Sequence, residues 1–320
     1  MSDTLLPAGP PDRAGLRAPV DLSHKLRPGE AVIKAVLLTC AVLSVAITIG
    51  IVVTLIRPVI DFFDWPGMAA GDDGKRVAFG DFFATEGTYA VLPLIVGTLM
   101  VTVIALLVAV PLGLGAAAYL SEYASPRARK WLKPTVELLA GVPSVVYGFF
   151  ALKFVTPTLL QDILALEVGF TNSLAAGLVL GVMVIPTIAS LSEDAMSAVP
   201  HSMRQGSLAM GANRMQTTLR VVFPAALSGI AAAVVLGMSR AVGETMIVAL
   251  AAGAQKRFDV DPFSGHQAMT GYIAQTFGGE NPVGSTPYNM AFAVAMTLFV
   301  MTLILNIVSM IFVRRFRNVY

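Results

Sequence analysis

Charged residues are scarce in this chain of 320 residues, because Asp, Glu, Lys and Arg together make up only 13% of it. A soluble globular domain carries about 25% charged residues. Apolar residues reach 56%, and the mean hydropathy is +0.74. A soluble core cannot hide that much apolar surface. The composition therefore favours a multi-pass membrane protein and excludes soluble, disordered and collagen-like chains.

Cysteine and net charge are nearly absent as well. The single cysteine, Cys40, excludes an internal disulfide and a cysteine metal cluster. The 22 basic and 20 acidic residues leave a formal net charge of +2. That is too small for the basic surface of a nucleic-acid-binding protein, so we expect no nucleic-acid partner.

Catalytic motifs are also missing. The nearest approach to the phosphate-binding loop G-x-x-x-x-G-K-[ST] is Gly74-Lys75, where Ala69 replaces the first glycine and Arg76 replaces the hydroxyl residue. No H-E-x-x-H or G-x-S-x-G motif occurs. We therefore expect no catalytic residue, metal site or bound cofactor in this chain, and an intramembrane enzyme has little support.

The distribution of Pro, Gly and charge divides the chain into segments. Residues 1–30 are rich in Pro and Gly and predict a disordered tail. Residues 31–57 predict the first transmembrane helix, 58–86 an extracytoplasmic segment, 87–315 the main transmembrane domain and 316–320 a C-terminal tail.

Uncharged runs predict six spans in total. The first run would measure about 33 Å as a helix, enough to cross a hydrocarbon core of about 30 Å. A bend is expected near Pro111, where the helix loses a backbone donor. The predicted runs lie at about 35–56, 86–122, 138–160, 168–192, 225–252 and 287–313.

Basic residues predict the orientation, since Lys and Arg are retained on the cytoplasmic side. With the N-terminal tail inside, fifteen basic residues fall in inner segments and five in outer segments, so both termini are predicted to be cytoplasmic. The inner residues are Arg13, Arg17, Lys25, Arg27, Lys34, Arg127, Arg129, Lys130, Lys133, Arg204, Arg214, Arg220, Arg314, Arg315 and Arg317. The outer residues are Arg57, Lys75, Arg76, Lys256 and Arg257.

The inner segment 193–224 is patterned rather than a simple linker. Leu208, Met215, Leu219 and Val222 recur at spacings of three, four and seven, which predicts short amphipathic helices broken at Gly211. Such helices either lie on lipid headgroups or dock a cytoplasmic partner, and the pattern alone leaves both interpretations open.

Two charged residues, Arg240 and Glu244, fall inside the fifth predicted span. A charge at mid-membrane costs about 3 kcal/mol on insertion scales, so such residues face a protein interior or a water-filled path. At helical spacing the two share one stripe with the small residues Ala233, Gly237 and Ala241. They are either part of a substrate path or a buried ion pair that fixes helix packing.

Several sequence blocks resemble a known family. Gly211, Val221, Phe223 and Pro224 fit the loop signature of ABC-importer permeases, although Gln205-Gly206-Ser207 stands where Glu-Ala-Ala is usual. Further blocks make the chain similar to PstC-type permease subunits of phosphate-specific ABC importers. These blocks are Leu92–Thr98, Val110–Gly113, Tyr119–Tyr123, Leu139–Gly148 and Gly237–Met246.

The resemblance implies a type I ABC importer permease fold, all-α with six transmembrane helices and cytoplasmic coupling helices, in the bacterial plasma (inner) membrane. It implies that the chain forms half of the translocation pathway for phosphate and that Arg240 and Glu244 lie on this pathway. It also implies that the 193–224 loop transmits the motion of the ATPase. A permease for another small anion, or a secondary transporter without an ATPase, is the alternative. The residues expected to couple to the ATPase are Arg204, Gln205, Ser207, Gly211, Ala212 and Arg214.

The same resemblance implies partners. They are a second related permease of PstA type, two copies of a PstB-type cytoplasmic ATPase and an extracytoplasmic PstS-type phosphate-binding protein, together with inorganic phosphate and membrane lipid. ATP and Mg would bind in the partner ATPase. Because Gln205 replaces the usual Glu, a salt bridge from that position to the ATPase is not expected here.

The predicted orientation can be tested with thiol labelling in a Cys40→Ser background. Cysteines placed at 2, 128, 205 and 318 are expected to react with membrane-impermeant reagents only after lysis, because they lie in the basic inner segments. Cysteines at 73 and 265 are expected to react in intact cells. Labelling of position 205 from outside would overturn the orientation.

Overall fold

The computed structural model describes residues 28–63 and 76–315, and these residues are almost entirely helical. Most of the predicted N-terminal tail, the predicted C-terminal tail 316–320 and residues 64–75 of the predicted outer segment lie outside the described residues. The α-helices are α1 (Pro28–Phe62), α2 (Phe79–Phe82), α3 (Leu92–Ala118), α4 (Pro126–Ala140), α5 (Ser144–Phe150), α6 (Ser173–Ser197), α7 (His201–Ala209), α8 (Arg214–Thr217), α9 (Phe223–Val242), α10 (Met269–Gly278) and α11 (Thr286–Arg315).

Four π-helical segments extend these helices at Tyr119–Tyr123, Ala151–Ile163, Thr218–Val222 and Val248–Ala252. Within the described residues, five helices are long and apolar enough to cross a membrane. A sixth span is counted when α4 is joined to the helix that follows it at a bend of 86°. The predicted six spans therefore agree with the structure when this bent pair counts as one.

The chain divides into two units at residue 51. The described part of the first unit is the beginning of α1, whose side chains are almost all exposed and apolar. Its hydroxyl residues bond within the helix, since Thr39 Oγ1 donates to the carbonyl of Ala35 and Thr48 Oγ1 to that of Ser44. This is how a lipid-facing helix satisfies isolated hydroxyls.

The second unit is organised around α6, which packs against α3 through glycines. A Cβ atom on Gly177 would lie 2.6 Å from Cβ of Ile104, and one on Gly181 would lie 2.9 Å from the carbonyl oxygen of Ala105. Small residues four apart allow two helix backbones to approach this closely. Helix α3 continues through Pro111 to Ala118, and the bend expected at this proline stays a prediction.

Helix α9 packs against another face of α6. A Cβ atom on Gly237 would lie 2.8 Å from Cγ1 of Ile188, and one on Gly229 would lie 2.5 Å from Cβ of Ala195. Because α6 has neighbours on both sides, Ile188 is fully buried in the main hydrophobic cluster. The three helices α3, α6 and α9 form one layer that packs around Ile188, which also lies 2.9 Å from where a Cβ atom on Gly113 of α3 would be.

The loop 253–268 closes one end of this layer, and we call that end the loop end. His266 is fully buried, with Nε2 2.7 Å from Asp259 Oδ1 and Nδ1 3.1 Å from Ser173 Oγ at the start of α6. The carbonyl oxygen of Gln267 lies 2.6 Å from where a Cβ atom on Gly97 would be. The loop is thus fixed to the second turn of α3 and the first turn of α6.

Lys256 fixes the same loop from its other side. Its Nζ donates to the carbonyl of Thr88 at 2.6 Å and lies 4.6 Å from the ring centre of Tyr272. Burial lowers the pKa of Lys256 to about 8. Because the folded pKa lies below the ordinary value of 10.5, the cost of burying the charge is present below pH 8 and decreases as pH rises toward 10.5.

Replacing Gly181 by Leu is expected to lower the melting temperature of the detergent-solubilised protein, because the added side chain meets the backbone of α3. Overpacking of this kind costs about 1–3 kcal/mol or more. Gly115→Leu is the matched control, since a Cβ atom at that glycine meets nothing within 4 Å. Equal melting temperatures for the two variants, measured by thermal unfolding, would contradict the role assigned to the α3–α6 contact.

Candidate coupling hairpin and intramembrane arginine

Helices α7 and α8 form a helical hairpin, residues 201–217, beyond the end of α6. The turn between them is set by local sequence, because Gly211 has a φ of +87°, which favours glycine. Asn213 then begins α8 with a reciprocal cap: the Gln216 N–H donates to Asn213 Oδ1 at 2.8 Å, and the Asn213 N–H donates to Gln216 Oε1 at 3.0 Å. The predicted helix break at Gly211 is confirmed.

The hairpin exposes part of the predicted coupling set together with two methionines, of which only Met215 belongs to the predicted amphipathic pattern. Gln205, Gly211 and Arg214 are exposed. Next to them, Met210 is 89% exposed and Met215 is 62% exposed. Flexible methionines on an exposed surface are typical of protein contacts. Met210 directly precedes the turn glycine Gly211, and this position is the only feature of the sequence that could have indicated its exposure.

Other members of the predicted set point inward. Arg204 is only 14% exposed, and its Nη2 donates to Glu122 Oε1 at 2.9 Å and to the carbonyl of Met196 at 2.7 Å, while Nη1 donates to the carbonyl of Val199. These bonds join the hairpin to the ends of the α3 and α6 segments. Arg204 is therefore a structural anchor of the hairpin.

Two further predicted residues lie between the hairpin helices. The Ser207 and Thr217 hydroxyls are 3.0 Å apart, and the Ala212 N–H donates to the carbonyl of Ser207 at 3.2 Å. Ser207 is half-buried and Ala212 is half-buried as well. They hold the two helices of the hairpin together.

A buried carboxylate lies where α6 meets α4. Glu193 is fully buried and receives bonds from Arg129, from Lys133 Nζ at 2.6 Å and from Ser197 Oγ at 2.8 Å. Lys133 Nζ also lies 2.7 Å from Asp194 Oδ1. Basic α4 residues thus neutralise a charge that α6 buries.

The structure separates Arg240 from Glu244, contrary to the predicted shared stripe. Helix α9 ends at Val242, between the two residues. Oε1 of Glu244 instead accepts the backbone N–H groups of Met246 at 3.0 Å and Ile247 at 3.3 Å, which begins the next helical segment. No ion pair joins Arg240 and Glu244, although both lie in the described part of the chain.

Arg240 is exposed and contacts α6 instead of its own helix. Its Nη1 donates to Thr187 Oγ1 at 3.0 Å. Since a guanidinium has five donors, this contact orients the group and leaves donors for another partner. Thr187 was not selected from the sequence, because only the packing of α9 on α6 brings it to the arginine.

Solved structures with this arrangement of helices define the class. The fold matches a chain of a bacterial ABC transporter involved in the import of the acidic polysaccharide alginate, with a TM-score of 0.65 over 91% of this chain and 98% of that chain at 15% identity. It also matches a chain of the inward-facing MetNI methionine ABC transporter, with a TM-score of 0.52 over 71% and 94% at 20% identity. The fold is that of the membrane-spanning permeases of ABC importers.

Sequence comparison gives the family. Residues 109–318 match the model of the binding-protein-dependent transport system inner membrane component. The chain belongs to this family and is a multi-pass permease subunit of the PstC type, whose ATPase is a separate subunit.

Two curated relatives illustrate this similarity. The chain is 40% identical over 219 residues to the probable ABC transporter permease protein YqgH of Bacillus subtilis, covering 68% of this chain and 70% of the relative. It is 35% identical over 265 residues to the phosphate transport system permease protein PstC 1 of Mycobacterium tuberculosis, covering 74% and 78%.

Arg204→Ala is expected to increase hydrogen exchange of the amides in residues 201–217. The change removes an ion pair and two bonds to carbonyls, and one bond to a charged group contributes about 1.5–3 kcal/mol, which is roughly tenfold or more in local opening. Arg214→Ala is the control, because Arg214 is exposed. Exchange measured by mass spectrometry that rises equally in both variants would contradict the anchoring role.

Proposed function

We propose that this chain forms half of the translocation pathway of an ATP-driven importer of inorganic phosphate. The observation that carries the proposal is Arg240, an exposed cation on a membrane-spanning helix that makes no ion pair with Glu244. The similarity to phosphate transport permeases supports phosphate as the substrate. The chain contributes binding and passage of the anion and no chemical step.

The physical argument concerns the cost of dehydrating the anion. Phosphate loses water on entering a low-dielectric span, and a guanidinium offsets that loss by two parallel charge-assisted hydrogen bonds. The carboxylate of Glu244 accepts two backbone N–H groups, so it does not occupy the guanidinium. Arg240 is therefore available to the anion as it passes.

The helical hairpin is proposed to couple this path to ATP hydrolysis. Gln205, Gly211 and Arg214 form an exposed contact surface with Met210 and Met215, which fits docking on a partner protein. Arg204, Ser207 and Ala212 would transmit the movement by holding the hairpin rigid and anchored. A rigid hairpin passes a displacement to the helices that it joins.

The proposed complex contains a second permease of PstA type, two PstB-type ATPases that bind ATP and Mg, and a PstS-type phosphate-binding protein. The hairpin and both termini would face the cytoplasm of a bacterium, and the loop end would face the binding protein. The concentration of basic residues in the inner segments supports this orientation.

The test is phosphate uptake by the assembled complex in vesicles supplied with ATP. Arg240→Gln is expected to reduce uptake roughly 10- to 100-fold, which corresponds to the loss of a charge-assisted bond of about 1.5–3 kcal/mol. The amount of assembled complex should not change, because the arginine leaves no paired acid behind.

Arg127→Gln is the control, since Arg127 is an exposed arginine in the first turn of α4, outside the 193–224 segment. It should leave uptake unchanged at equal amounts of complex. Normal uptake by the Arg240→Gln complex would contradict the assignment of Arg240 to the pathway. Absence of phosphate uptake by the unaltered complex would contradict the assignment of phosphate as the substrate.

A further inference from the structure

One face of α6 carries polar side chains that its neighbours leave uncovered. Thr187 and Ser190 are half-buried, and Asp194 is 58% exposed at its side chain. The spacings of three and four residues place all three on one face of the helix. Other parts of the α6 surface pack against α3 and α9, while Val182 and Leu191 are exposed apolar residues.

Charged residues from two other helices flank this face. From α9, Arg240 donates to Thr187 at 3.0 Å. From α4, Glu137 Oε1 accepts from the Ser190 hydroxyl at 3.3 Å. We call Thr187, Ser190, Asp194, Arg240, Glu137 and Lys133 the polar groove.

The groove leads from the arginine toward the hairpin. Its far end is formed by Lys133, whose Nζ lies 2.7 Å from Asp194 Oδ1. Seven residues of α6 separate Thr187 from Asp194, which is about 10 Å along a helix. The groove thus extends from Thr187, inside the predicted span 168–192, to Asp194 in the inner segment.

This polar surface is not expected to face lipid. Hydroxyl and charged groups inside a membrane face a protein interior or a water-filled cavity, because lipid chains offer them no hydrogen bonds. Glu137 and Arg240 are exposed in this chain. In the assembled protein, the groove must therefore border water or polar groups.

We propose that the polar groove is the part of the anion path between Arg240 and the hairpin end, and that Thr187 is a positioning residue for Arg240. The proposal rests on the proposed function and extends it to α6. The Thr187 hydroxyl accepts from Arg240 and keeps its own O–H to donate to a phosphate oxygen, while this bond orients the guanidinium toward the groove. The Ser190 hydroxyl, which donates to Glu137 in the structure, turns its single O–H from that carboxylate to the anion as it passes.

The acids at the hairpin end favour release of the anion. Asp194 is neutralised by Lys133, whereas within the described residues Glu137 bonds only to the neutral Ser190 hydroxyl. A negative side chain beyond Arg240 opposes a second tight anion site. Passage requires binding that is weak enough to allow exit, and Arg240 supplies the single strong contact.

The first experiment compares uptake per ATP hydrolysed in vesicles that contain equal amounts of the assembled complex. Thr187→Val combined with Ser190→Ala is expected to lower this ratio at least tenfold, and Thr187→Ser alone should remain within twofold of the unaltered complex. The control is Thr39→Val with Ser44→Ala, the same two changes on exposed hydroxyls of α1. Normal coupled uptake by the groove variant would overturn the proposal.

The second experiment measures water access directly in a Cys40→Ser background. Ser190→Cys in the assembled complex is expected to react with a negatively charged methanethiosulfonate, and phosphate should slow the reaction. Leu112→Cys should not react: Leu112 is 56% exposed on α3, and its neighbour Gly113 contacts Ile188 of α6, so it lies at a similar depth. Absence of labelling in the Ser190→Cys complex would overturn the proposal.

These two experiments separate failure of the groove from failure of the substrate assignment. If the unaltered complex takes up no phosphate but the Ser190→Cys complex is labelled, the phosphate assignment fails and the water-accessible groove stands. If the unaltered complex takes up phosphate while the groove variant is normal and the Ser190→Cys complex stays unlabelled, the proposed function stands and the groove is excluded.

Discussion

The close approach of α3 and α6 is the contact on which the rest of the second unit depends. Gly177 and Gly181 bring the two backbones together, and this fixes the rotation of α6 about its own axis. In this rotation Ile188 lies between Gly113 of α3 and Gly237 of α9. The face with Thr187, Ser190 and Asp194 remains partly uncovered. A different rotation of α6 would place those hydroxyls in the core or against lipid.

Electrostatic contacts then link the spans to the helical hairpin. Glu193 is buried at the end of α6 and is neutralised from α4, while Glu122 at the end of the α3 segment holds Arg204 of α7. Both contacts are partly shielded from water, so loss of one partner leaves a costly uncompensated charge. This arrangement makes the hairpin continuous with the bundle and suits it to transmit movement to the proposed pathway.

The separation of Arg240 from Glu244 changes how the intramembrane charges are understood. A pair on one helix would neutralise itself and would serve packing as well as transport. Because α9 ends at Val242, the carboxylate of Glu244 accepts the backbone N–H groups of Met246 and Ile247. Arg240 instead donates to a neutral hydroxyl on α6. A cation held by a neutral partner keeps its charge available to an anion.

The sequence by itself determined the membrane class, the number of spans, the break at Gly211 and the family, because these depend on composition, local backbone preference and short motifs. It did not determine which way Arg204 points, that α9 ends before Glu244, or that Thr187 meets Arg240. Those features arise where helices distant in sequence meet: Arg204 lies 82 residues from Glu122, and Arg240 lies 53 residues from Thr187. Helical periodicity places residues on a face of one helix, but only tertiary packing decides which neighbour that face meets.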